Sequence, residues 1–195
     1  MAITSSDYEY LLLKNNFNIQ NIELLTFFYQ TPQKIDKKLI NFNRRKNFSY
    51  ISNIINDHNL DQLNFLVKKV WPGIQKQLPE AQLHIFGSAN NQELNNLQNI
   101  NIFQRGYIED IDRLQRYKVM LVPTRYNSGV QNKIIESWNN YTPVVTTLIG
   151  AEGMFYDSTY EKIYANIDEN QYTFKYQTEL VCTEIWGIIL ELECR

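Results

Sequence analysis

Between Phe48 and Thr147 short apolar segments alternate with segments whose apolar residues recur at helical spacing, and this alternation restricts the fold more than any other feature. Phe48 to Ser52, Gln82 to Phe86, Ile100 to Phe103, Val119 to Pro123 and Pro143 to Thr147 read as strands. Leu60 to Leu78 carries Leu63, Leu66, Val67, Val70, Ile74 and Leu78 on one helical face, with Pro72 expected to kink that helix or start a second one. Glu109 to Tyr117 and Val130 to Asn139 read as further helices. Strand-to-strand connections of this length need crossovers, so the pattern predicts an α/β, Rossmann-like parallel sheet with helices on both faces.

The flanks are less regular. Ser6-Asp7-Tyr8-Glu9 has the form of a capping box and predicts a short helix, followed by a buried strand over Ile22 to Tyr29. Residues 30–47 turn polar and basic around Pro32 and read as a linker, so the main domain is expected over 48–154. Residues 155–195 form a tail whose segment from Glu179 to Leu192 is a candidate terminal helix. The basic run Arg44-Arg45-Lys46 reads as solvated surface.

Composition excludes several classes. A net charge of -2 over 195 residues and a pI near 5.7 give no broad cationic field for nucleic acid. No apolar run approaches the roughly 20 residues of a membrane span, and the start lacks the blocks of a signal peptide, so a cytoplasmic location is expected. Two cysteines and two histidines leave no metal cluster at recognised spacing. Asp110-Ile111-Asp112 reads as helix-capping acids rather than a metal site, and His84 as a partly buried strand residue.

Ligands of open α/β sheets bind beyond the carboxyl ends of the strands, which directs attention to the loops after each one. In the segment Pro123 to Glu136, Gly129 precedes a helix start, and Lys133 and Glu136 lie three residues apart on one helical side. Backbone N–H groups there attract phosphate, Arg125 or Lys133 adds full charge, and Glu136 can accept from ribose hydroxyls. A solvated helix with a surface Lys–Glu pair is the competing explanation. In the loop after Thr147, Gly150 and Gly153 flank Glu152, leaving a carboxylate beside a closely approachable backbone. In Gln104 to Asp110, Tyr107 and Ile108 are placed to flank a base.

The order of Phe48-Ser49-Tyr50-Ile51-Ser52-Asn53, Val70-Trp71-Pro72, Leu78 to Gly87, Gly106-Tyr107-Ile108-Glu109-Asp110 and Pro143 to Met154 resembles the donor lobe of family 4 glycosyltransferases of the GT-B fold. The resemblance implies a retaining sugar transfer from a nucleoside-diphosphate sugar, with no metal or other cofactor. It implies that Glu136 holds the ribose, that Lys133 and Arg125 stand near the phosphates, that Tyr107 and Ile108 flank the base, and that Asn53, Gly129, Gly150, Glu152 and Gly153 contribute to donor binding. It also implies that residues 1–29 match only the last helix and strand of the acceptor lobe, so a separate acceptor-lobe subunit is an expected partner. The sequence departs from the family where Ser52-Asn53 replaces a glycine-containing turn, where Gln131 replaces a lysine, and where Ser128 replaces a glutamate. These departures support an alternative, a non-catalytic relic or interaction module that keeps the fold.

Overall fold

The computed structural model describes residues 1–25, 44–88, 101–126 and 129–151. In the main domain the strands are β3 (Lys46–Ile51), β4 (Leu83–Phe86), β5 (Ile102–Gly106), β6 (Tyr117–Val122) and β7 (Val144–Thr146). They pair in parallel throughout, in the order β5-β4-β3-β6-β7. The chain starts in the middle, winds outward through β4 and β5, then returns to the other side of β3. This is the Rossmann-like parallel sheet expected from the sequence, wound in both directions from β3, and its order reverses between β3 and β6.

The central strands are covered on both faces, which explains their continuous apolar runs. Val119, Met120, Leu121 and Val122 are all buried. Phe48 and Tyr50 face one layer of helix, where Trp71 packs edge-on against Phe48 with ring centroids 5.8 Å apart. Met120 and Val122 face the opposite layer and pack on Ile134. Fully burying each such side chain contributes about 1.5 to 3 kcal/mol before entropy is counted.

Helix α2 (Asp57–Phe65) continues through one π-helical turn, Leu66–Val70, into α3 (Trp71–Gln77). The Trp71 N–H bonds the Leu66 carbonyl, five residues back. Pro72 brings no N–H and would crowd an α-helical carbonyl, and the widened turn accommodates it without breaking the rod. The segment from Glu109 to Tyr117 forms a 3-10 helix over Ile111–Arg116, with the Asp110 carboxylate accepting from the Asp112 N–H at 3.1 Å. Helix α4 is Asn132–Asn139, and a single turn, α5, spans Leu148–Ala151.

In the basic run Arg44-Arg45-Lys46 the outer two residues are exposed, as a solvated surface requires, and only Arg45 departs from that reading. Arg45 is buried, with one guanidinium nitrogen donating to the Tyr141 carbonyl at 2.5 Å and to the Tyr117 carbonyl at 3.5 Å. It ties the start of β6 to the turn after α4 through that one nitrogen.

At the N-terminus, β1 (Ala2–Thr4) and β2 (Ile22–Leu24) pair in parallel around α1 (Asp7–Asn16). The Ser6 hydroxyl caps α1 by accepting from the Glu9 N–H at 3.3 Å. The remainder of the expected strand to Tyr29, most of the linker, the last three residues of the expected main domain and the tail over 155–195 lie outside the described residues.

Candidate functional site

The crevice opens where the strand order reverses, beyond the carboxyl ends of β3 and β6. Three elements supply its walls: Asn56, His58, Asn59 and Gln62 from the start of α2, Thr124 and Tyr126 after β6, and Gln131 and Lys133 from the start of α4. They enclose about 450 Å³. The wall is made of amides, hydroxyls, rings and one cation.

Lys133 organises it. Its ammonium donates to Gln62 Oε1 at 2.8 Å, Ser52 Oγ at 3.2 Å and Asn59 Oδ1 at 3.3 Å, and lies 5.5 Å from the centroid of the Tyr50 ring. Gln62 is itself fixed, its amide donating to the Thr124 hydroxyl while Oε1 also accepts from the Tyr50 hydroxyl at 3.0 Å. All oxygens around the ammonium are neutral, and among the described residues no carboxylate pairs with it. Burial pulls its pKa from 10.5 down to about 8, so it is charged at neutral pH. A desolvated cation held only by neutral dipoles is half of an ion pair, and an anion entering the crevice supplies the other half.

The other expected residues occupy different settings. Arg125 pairs with Asp61 at 3.2 Å, and its guanidinium carbon lies 5.4 Å from the ring centroids of both Phe65 and Tyr126. Glu136 follows Lys133 by three residues on α4 but lies outside the cavity wall; its half-buried carboxyl is pushed up by desolvation. Asn53 is exposed and shapes the loop, its carbonyl accepting from the Asn59 amide at 2.8 Å. Ile108 is buried against Phe86 and Leu114, whereas Tyr107 is 76% exposed. Gly150 lies buried in α5, where an added Cβ would collide with the Thr146 hydroxyl. Gly129 adopts a positive φ of 78° beside the carboxylate of Glu9. Glu152 and Gly153 lie outside the described residues.

Gln62, Asn59 and Thr124 were not singled out by the sequence. Their signal was faint: two polar residues at i and i+3 on a helix whose neighbours Leu63 and Leu66 face the core.

A doubly wound parallel sheet with a cation-bearing crevice at its switch point defines a Rossmann-like α/β domain. Residues 45–171 match the family model described as glycosyl transferases group 1, and the chain belongs to that family. Its fold is similar to TarM (TM-score 0.65, 17% identity), covering 96% of this chain and 37% of that one. It is similar also to the GtfA/B complex (0.59, 15%), covering 97% and 41%. Anabaena HepE, solved in complex with UDP-glucose, shares the fold at a TM-score of 0.61 and 11% identity, covering 99% and 58%. The chain thus spans between 37% and 58% of the length of these three structures. No curated protein sequence matches it. Among the described residues, no helix is long and apolar enough to cross a membrane.

Proposed function

We propose that this chain is the donor lobe of a retaining, family 4 GT-B glycosyltransferase, binding a nucleoside-diphosphate sugar in the crevice between β3 and β6. The observation that carries the reading is Lys133, a desolvated ammonium with neutral partners at the switch point. In this reading it holds the diphosphate and stabilises the charge that grows on it as the glycosidic bond breaks. Glu136, three residues further along α4 and beyond the cavity wall, accepts from the ribose. The acceptor-binding lobe is supplied by polypeptide outside these 195 residues, as the partial coverage of the structural relatives suggests. Titration with UDP, GDP and ADP tests the reading: one of them binds to the wild-type chain, and Lys133→Ala weakens it about tenfold or more. Absence of binding at millimolar nucleotide discards it.

A non-catalytic descendant is favoured by one specific observation. Gln131 lines the cavity as a neutral amide, where the family resemblance implies a second lysine. On that reading nucleotide still binds, weakly, and no sugar is released from any nucleotide sugar even with an acceptor lobe added.

A further inference from the structure

The capping-box sequence at the start of α1 is only half used. A capping box would turn the Glu9 carboxylate back to the Ser6 N–H. Here the Ser6 N–H meets the Thr4 hydroxyl at 3.4 Å, and the Thr4 hydroxyl donates to Glu9 Oε2 at 2.9 Å. The carboxylate is therefore released from its own helix and directed at the main domain. It reaches the glycine turn before α4: a Cβ on Gly129 would lie 3.2 to 3.3 Å from Glu9 Oε1, Oε2 and Cδ. From Pro123 to Ile135 this loop and helix start offer two cations, Arg125 and Lys133, with amides and hydroxyls but no acid before Glu136. Glu9 is the carboxylate that the N-terminal helix brings to this turn, where a ligand rich in hydroxyl groups would find a charged acceptor.

We propose that Glu9 is a specificity-determining residue that accepts hydrogen bonds from hydroxyls of the donor's sugar, delivered to the Gly129 turn by the N-terminal helix. This rests on the donor-lobe reading above. Glu9 discriminates the sugar conjugate from the bare nucleoside diphosphate, because only the conjugate brings hydroxyls to it and a carboxylate gains nothing from a phosphate. Charge-assisted hydrogen bonds of this kind are about twice as strong as neutral ones. Thr4 is a positioning residue that holds the carboxylate in its rotamer.

The test compares UDP with UDP-glucose by calorimetric titration, or GDP or ADP with its glucose conjugate if that nucleotide is the one bound. Glu9→Ala is expected to weaken the conjugate about tenfold while changing the bare diphosphate by less than about twofold. Glu9→Gln should fall between wild type and Glu9→Ala, and Thr4→Val should move the conjugate in the same direction by less. Equal weakening of both ligands, no change in either, or tighter diphosphate binding in Glu9→Ala would overturn the assignment; the last would make Glu9 a competitor of phosphate. Thermal melts of each variant identify any that fails to fold, in which case Glu9→Gln and Thr4→Val carry the decision. A wild-type chain that binds no nucleotide sinks the donor-lobe reading and this assignment together, whereas wild-type binding with unselective variants sinks this assignment alone.

Discussion

The Lys133 ammonium and the Gln62 amide oxygen meet at 2.8 Å across the reversal point of the sheet, joining the start of α4 to the buried side of α2. Gln62 cannot swing away, because its amide nitrogen is held by Thr124 and its oxygen also receives the Tyr50 hydroxyl. The cation is thus built into a rigid polar cluster before any ligand arrives, and that preorganisation lowers the cost of binding an anion.

The same rigidity carries a stability cost. Lys133 has a folded pKa of about 8 against an ordinary value near 10.5. Between those values the unfolded chain binds more protons, so wild-type stability rises with pH from about 8 to about 10.5, and the burial cost is fully present below about 8. Lys133→Met removes this slope and should stabilise the ligand-free domain at pH 7 by roughly 1 kcal/mol while weakening nucleotide binding about as much as Lys133→Ala does. Thermal melts of both proteins from pH 7 to 10 check this, and a gap that widens with pH would contradict it.

Arg125 should matter less than Lys133. Its pair with Asp61 is exposed, and such pairs contribute about 0 to 1 kcal/mol. Arg125→Ala should shift the denaturation midpoint only slightly and weaken nucleotide binding less than Lys133→Ala. Equal losses of affinity in parallel titrations would show that Arg125 leaves Asp61 for the phosphates.

The sheet was legible because burial on both faces writes unbroken apolar runs, as in Val119 to Val122, and because crossover lengths force parallel pairing. Helical spacing put Lys133 and Glu136 on one side of α4, and of the two it is Lys133 that lines the cavity. What the chain pattern did not disclose depends on contacts distant in sequence. Arg45 is buried by carbonyls at 117 and 141, so a basic run looks the same whether solvated or not. Ile108 sits beside Tyr107 in a loop, yet packing against Phe86 and Leu114 takes it into the core while its neighbour stays in solvent. Gln62 is polar on a core-facing helix only because Tyr50, Thr124 and Lys133 satisfy it there.

His84 should make the domain acid-sensitive. It faces the Tyr117 hydroxyl at 2.8 Å, the Gln82 amide oxygen at 3.2 Å and the Arg105 guanidinium at 3.3 Å. Burial first, and then Arg105, lower its pKa from 6.5 to about 4. The unfolded chain therefore takes up a proton that the folded chain refuses, and this contribution to stability is lost as pH falls from about 6.5 towards 4. His84→Phe should flatten the fall of melting temperature over that interval, and NMR titration should find the ring neutral down to about pH 4.

Two glycines with positive φ separate backbone strain from steric collision. Gly106, at φ 70°, has no atom within 4 Å of an added Cβ, so Gly106→Ala should cost only the left-handed conformation, about 1 to 2 kcal/mol. Gly87, at φ 128°, lies where a Cβ would run into the Ser52 carbonyl, between the Gly87 N–H bond to Gly106 and the Ser52 N–H bond to Phe86. Gly87→Ala must add backbone displacement to strain and should cost at least about 2 kcal/mol more than Gly106→Ala. The displaced residue is Ser52, one of the three oxygens around Lys133, so nucleotide affinity should fall as well. Denaturant unfolding and nucleotide titration of the two variants would measure both effects. A Gly87→Ala protein that lost stability but kept full affinity would show that Gln62 and Asn59 hold the ammonium without Ser52.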